Sequence, residues 1–153
     1  GIRTFNNGTG DTVITTTNAA GDAYVFAGTT GINAYSGSST GALTISTNNV
    51  RAYAGDGIYG FQLGSGDLTI TATNAFGSAR VEGSNRGIDA RNYGTGALSI
   101  TADDVYALNG AGIYAYANTD STGVSVTVNE QAFSANDAGI YARNRAYGPI
   151  QSL

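Results

Sequence analysis

GIDARNYGTGALSITADDVYALNG, residues 87–110, holds three short blocks in which apolar and other residues alternate. GIDAR puts Ile88 and Ala90 on one side, ALSIT puts Leu98 and Ile100 together, and VYALN does the same with Val105 and Ala107. A period of two is the signature of a strand with one buried face. The intervening NYGTG and ADD are rich in Gly, Asn and Asp, residues that turn a chain.

The same three blocks recur on either side of this unit. The first block reads GIRTF at Gly1, GINAY at Gly31, GIYGF at Gly57, GIYAY at Gly112 and GIYAR at Gly139, so successive units start 30, 26, 30, 25 and 27 residues apart. The second reads DTVIT from Asp11, ALTIS from Ala42, DLTIT from Asp67 and GVSVT from Gly123, and PIQSL from Pro149 begins a further copy. The third reads AYVFA from Ala23, VRAYA from Val50, ARVEG from Ala79 and AFSAN from Ala132. Ile2, Ile32, Ile58, Ile88, Ile113 and Ile140 hold the second place of the first block, and Thr4, Ala34, Gly60, Ala90, Ala115 and Ala142 the fourth. No window keeps a 3.6 period, so no helix is expected.

Three strands and three turns per unit predict an all-β chain, a right-handed single-stranded parallel β-helix with three strands per coil. Residues 1–153 form one solenoid segment, with coils starting at 1, 31, 57, 87, 112 and 139, the last partial. One coil cannot bury its inward face, but about 5.5 stacked coils of 25–30 residues can. At roughly 4.8 Å per coil they would span about 26 Å. All six Ile should line one internal row, with small residues beside them indicating a narrow interior. Asn18, Asn49, Asn74, Asp103 and Asn129 follow the second strands and predict a polar ladder along one corner, a structural device more than a ligand row.

Composition bounds the function. The chain has 23 Gly, one Pro and no Cys, Met, Trp or His, and its seven basic residues are all Arg. A net charge of −4 and scattered cations exclude a nucleic-acid partner. Without Cys there is neither a disulfide framework nor a thiolate metal site. No apolar run is long enough for a transmembrane segment, and no charged-then-apolar leader opens the chain, so an export signal is expected outside it.

Tandem units of the type G-I-x-A-x, G-x-L-T-I-T and V-x-A, rich in Gly, Ala, Thr and Asn, resemble the passenger repeats of bacterial type V autotransporters. The resemblance covers the whole chain. It implies a right-handed β-helix displayed at the bacterial cell surface, with a C-terminal outer-membrane barrel outside this chain. It also implies adhesion to a host or bacterial surface protein or glycan, or to other copies of the chain. No site residue transfers from it.

Chemistry is sparse. Catalysis through His or a Lys base is excluded by composition. Polysaccharide-active β-helix enzymes are the rival reading, and they need clustered carboxylates. Asp103–Asp104 is the only adjacent acidic pair, and it falls at the corner ladder; Asp89 and Arg91 read as a solvated ion pair on the first face, with Arg143 two coils on. No cofactor or metal is expected, and no calcium-binding G-G-x-G-x-D pattern occurs. Gly8-Thr9-Gly10 reads as a turn and not a phosphate loop.

Aromatic residues fall at outward positions: Phe5, Tyr35, Tyr59, Phe61, Tyr114, Tyr116 and Tyr141 on the first face, and Tyr24, Phe26, Tyr53, Tyr106 and Phe133 on the third. Exposed rows of this kind mark a contact surface or stabilise neighbouring strands. The candidate contact surface is Tyr24, Tyr35, Tyr53, Tyr59, Phe61, Tyr106, Tyr114, Tyr116 and Tyr141. The second face carries outward Thr and Ser, among them Thr44, Ser46, Thr69 and Thr71, an arrangement that resembles ice-binding solenoids. The expectation is a non-enzymatic, exported adhesin or spacer. The lack of capping repeats at Gly1 and Leu153 reads first as a segment of a longer passenger, with end-to-end filament assembly as the alternative.

Overall fold

The computed structural model describes residues 1–37 and 40–145. The chain winds as a parallel β-solenoid of about five turns, without helix among the described residues. Coil 1 contains β1 (Ile2–Asn6), β2 (Thr12–Thr16) and β3 (Tyr24–Ala27). Coil 2 contains β4 (Ile32–Ser36), β5 (Leu43–Thr47) and β6 (Asn49–Ala52). Coil 3 contains β7 (Ile58–Gln62), β8 (Leu68–Ala72) and β9 (Arg80–Gly83). Coil 4 contains β10 (Ile88–Asn92) and β11 (Leu98–Ala107), coil 5 contains β12 (Ile113–Ala117) and β13 (Val124–Ser134), and β14 (Ile140–Asn144) opens the next turn. The PIQSL block lies outside the described residues.

First strands stack in the order β1-β4-β7-β10-β12-β14, every pair parallel, so Ile2, Ile32, Ile58, Ile88, Ile113 and Ile140 fall in one register row. The four middle Ile are fully buried. The end members differ from expectation: Ile2 is half-buried and Ile140 is 45% exposed, since a row is covered only where coils flank it on both sides. Leu43, Leu68 and Leu98 with Ile45, Ile70 and Ile100 form the facing row, and Val25, Val50, Val81 and Val105 form the third. The interior is narrow. A Cβ at Gly60 would come within 3.2 Å of Ile70 Cδ1 and 3.3 Å of Leu68 Cδ1, so the small first-face residues leave room for the large ones opposite.

Three strands per coil holds only in coils 1–3. In coils 4 and 5 the second and third strands run together as β11 and β13, with a bulge near Asp103, and the two stacks become one hydrogen-bonded sheet. The cause is the length of the corner. In coil 2 a single residue, Asn48, separates the two strands; in coil 4 the chain turns within the strand at Asp103; coils 1 and 3 instead insert the loops TNAAGDA (17–23) and TNAFGSA (73–79). Long and short coils therefore alternate along coils 1–4. The second strands follow suit: Asp11 and Asp67 precede them in the long coils, where they accept the amides of Ala42 and Ala97 from the short coils at 2.8 Å.

The corner ladder is corrected accordingly. Asn48, not Asn49, is the buried member in coil 2: its Oδ1 accepts Asn18 N at 3.0 Å and its Nδ2 donates to Thr73 O at 2.8 Å. Asn49 already belongs to the third face, where it pairs in register with Tyr24. Asp103 Oδ2 accepts the amides of Asn74 and Ala79, and its Oδ1 accepts Asn129 Nδ2 at 2.8 Å. These side chains mainly bind backbone of the neighbouring coils, satisfying buried amides instead of stacking amide on amide. A second polar row was not anticipated: Asn6, Ser36, Gln62 and Asn92 close the first strands facing inward, and Asn6 and Asn92 pin the following turn through Gly10 O and Gly96 O.

Candidate functional site

The alternation that buries Ile and Ala turns their neighbours outward, and no described aromatic joins the core cluster. On the first face the rings form a ladder. Phe5 stacks on Tyr35 with centroids 4.6 Å apart and planes 7° from parallel, and Tyr35 stacks on Phe61 at 5.3 Å and 6°. In coil 4 the position opposite Phe61 is Arg91, yet the ladder does not break. Tyr93, two residues further on, stands 5.3 Å from Phe61 and 5.2 Å from Tyr116. Sequence reasoning missed Tyr93 because it lies beyond the strand; the signal was an Arg in an aromatic column with a Tyr two places later. Rings stacked in this way cover one another's faces and offer mainly edges to solvent.

The adjacent column holds Tyr59, Asp89, Tyr114 and Tyr141, with Tyr114 stacked on Tyr141 at 5.1 Å. Asp89 is not the solvated residue expected. Its carboxylate points outward from the strand but is only 1% exposed. Arg86 Nη1 donates to Oδ2, and Arg91 donates from Nε to Oδ1 and from Nη2 to Oδ2, all at 2.8 Å. Both guanidiniums lie over Tyr114, at 4.7 and 5.3 Å from its centroid, and Arg91 also approaches Tyr59 at 5.9 Å. The two planar cations and the tyrosines above and below exclude water from the carboxylate. Hydrogen bonding to Asp89 raises the Arg91 pKa further, and burial raises that of the Tyr59 phenol. The carboxylate of Asp56 acts on Asp89 electrostatically, but it accepts hydrogen bonds from Asn85 and the Arg86 amide and is not bonded to Asp89 itself. Arg143 is in register with Tyr116 and so stands two rungs beyond Arg91.

The third face is organised differently. Phe26, Arg51, Glu82, Tyr106 and Phe133 align as one outward column. Arg51 Nε meets Glu82 at 3.0 Å, and Arg80 pairs with the other oxygen of Glu82. Arg51 also lies 5.1 Å from the Tyr53 ring and Arg80 4.1 Å from that of Tyr106, whose hydroxyl donates to Gln131 Oε1 at 3.0 Å. Tyr24 stacks on Phe26 at 4.1 Å; burial, then Glu82, raises its pKa.

Beside this column runs a second: Tyr53, Ser84, Leu108 and Ala135. Between the two columns lies a groove of about 340 Å³, floored where Ala52, Gly83 and Ala107 turn inward. Its rims carry the exposed side chains Tyr53, Leu108 and Phe133. Of the nine candidate residues, Tyr35, Phe61 and Tyr116 thus belong to the ladder. Tyr59 and Tyr114 flank Asp89 and Tyr141 stacks on Tyr114, Tyr53 and Tyr106 line the groove, and Tyr24 stands at the far end of the third face. Leu108 and Glu82 are groove residues that the sequence reading did not select.

On the second face Thr15, Ser46, Thr71, Thr101 and Thr127 stand in one register column, and Val13, Thr44, Thr69, Ser99 and Ser125 in the other. Among the described residues no three His, Cys, Asp or Glu side chains gather as a metal site, and no helix is long and apolar enough to cross a membrane. No family model, curated protein or solved structure matches the chain.

Proposed function

We propose that this solenoid is a non-enzymatic binding module exported to the bacterial cell surface, an adhesin or spacer of the autotransporter-passenger type. The observation that carries the reading is where the apolar surface outside the tube lies. The interior is filled, so recognition falls to the exterior, and the third face leaves Tyr53, Leu108 and Phe133 open to solvent. The arrangement around Asp89 also favours binding over bond cleavage. A general acid or base must reach the proton it transfers, whereas both oxygens of Asp89 are held by Arg86 and Arg91.

The test is direct. Labelled chain is incubated with epithelial cells and with bacteria, and in parallel with pectin-like and other acidic glycans whose products are followed by chromatography. Saturable cell binding without product release supports the reading. Product formation abolished by Asp89→Asn overturns it.

The hydroxyl columns of the second face favour one other reading, an ice-binding surface. Thermal hysteresis in the isolated chain, abolished by Thr71→Lys, would establish it; Val13 within the second column weighs against it.

A further inference from the structure

We infer that the third-face groove is a binding site for a neutral oligosaccharide; this deepens the adhesin reading and rests on it. The groove lies along the solenoid axis across coils 2 to 5, three coil spacings or about 14 Å. Its volume of about 340 Å³ falls inside the range of about 300–1,000 Å³ usual for small-ligand sites. That length takes a few linked pyranose rings.

Three features select the occupant. First, the apolar surface is discontinuous. Tyr53 and Leu108 stand in one column with only Ser84 between them, and Phe133 faces them across the groove. A pyranose ring has a similar character, with apolar C–H faces and a hydroxyl rim. Second, polar groups of fixed orientation flank the apolar ones. Glu82 is clamped by Arg51 and Arg80, and Arg51 is seated against Tyr53 while its side chain stays 47% exposed. A carboxylate beside a guanidinium offers acceptors and donors in one plane, suited to neighbouring hydroxyls. Third, the local charge cancels: Arg51 and Arg80 are balanced by Glu82 and by Asp104, which pairs in register with Arg80. An acidic glycan would find no excess of cations in a chain of net charge −4.

A peptide fits less well. An extended peptide gains affinity by adding to a free sheet edge. The groove instead crosses the face of paired strands whose backbone groups are already bonded to neighbouring coils.

The experiment titrates the intact chain with cello- and malto-oligosaccharides of increasing length, with oligogalacturonides, and with a Phe/Leu-containing decapeptide, monitored by amide chemical shifts and calorimetry. Neutral oligomers should perturb residues around Tyr53, Ser84 and Leu108, with affinity rising with length and then levelling off. Tyr53→Ala should weaken binding at least fivefold, and Ser84→Tyr, which fills the gap, should abolish it. Phe5→Ala, an exposed ring on the other face, should leave binding unchanged. Circular dichroism verifies that each variant folds. Absence of binding by any neutral oligomer, preference for oligogalacturonides or for the peptide, or equal binding by Tyr53→Ala overturns the proposal. Cell adhesion that survives Tyr53→Ala and Ser84→Tyr sinks the groove assignment and leaves the adhesin reading standing. Cleavage of a bound neutral oligomer sinks the non-enzymatic reading and keeps the groove.

Discussion

Asn74 Nδ2 donates a hydrogen bond to Gly21 O at 3.2 Å, although 53 residues separate the two and a whole coil lies between them. The loops of coils 1 and 3 are long enough to meet over the short corner of coil 2. Asn49 Nδ2 reaches the same carbonyl from beneath, at 3.3 Å.

Gly21 and Gly77 hold equivalent places in the two loops, with φ of 71° and 67°. An L side chain there costs about 1–2 kcal/mol in backbone strain alone. At Gly77 a Cβ meets nothing nearer than Glu130 Oε1 at 3.8 Å; at Gly21 it would lie 2.9 Å from Asn74 Cβ. Gly21→Ala should therefore lower the denaturation midpoint more than Gly77→Ala, by an added loss of about 1 kcal/mol for the bond to Asn74. Equal midpoints would show that the clasp contributes nothing.

Position along the axis decides the cost of a buried charge. Ile88→Asp places an unpaired carboxylate in the filled interior, at a cost of several kcal/mol, and should abolish the far-UV β signal. Ile140→Asp, in the same row but 45% exposed, should leave the spectrum intact. If Ile88→Asp remains folded with an unchanged melting curve, the Ile row is not the core.

The in/out pattern was legible because period-two alternation maps directly onto pleated strands. Hence the Ile, Leu and Val rows and the outward aromatics were readable from residue types alone. The burial of Asp89 was not, since it depends on Arg86 folding back from a turn and on rings contributed by the coils above and below. Register by one residue was equally hidden at Asn48-Asn49, where two identical side chains stand side by side and only the corner geometry distinguishes them. Spacings of 30, 26, 30 and 25 already carried the long–short alternation, but the meaning lies in which corner takes up the extra residues. The groove needed the side-by-side placement of Tyr53, Glu82 and Leu108, which come from three different coils.

Asp89→Asn leaves Arg86 and Arg91 facing each other without their shared anion. Breaking a fully buried pair costs about 3–5 kcal/mol. The two guanidinium side chains here are 27% and 29% exposed, so the loss should fall below that range yet exceed that of Glu82→Gln, whose arginine partners are nearly half exposed. Urea midpoints of the two variants test the order.

Burial raises the Asp56 carboxyl above its ordinary value of 3.8, with the hydrogen bond from Arg86 N opposing the shift. The folded chain thus holds this proton more tightly than the unfolded one. Its contribution is most favourable in acid and is lost as pH rises from the ordinary value through the raised one. Asp56→Asn removes the charge and keeps an Oδ1 acceptor for Asn85 Nδ2 and Arg86 N. The variant should match or exceed the parent in melting temperature at pH 7, and its advantage should vanish in acid. A lower melting temperature at pH 7 would show that the carboxylate itself is needed.

The clasp between Gly21 and Asn74 gives this stack a parity. Like loops meet only when one short turn separates them, so the unit that can be copied or removed without rewriting a corner is a pair of windings, residues 1–56 being one and 57–111 the next. Losing a single winding would set two insertions directly against each other, or leave one with nothing to grip. Growth or shortening within coils 1–4 should thus proceed in even steps, like a staircase whose treads are cut two at a time; coil 5, whose short corner in β13 stacks directly on that of β11, lies outside this parity.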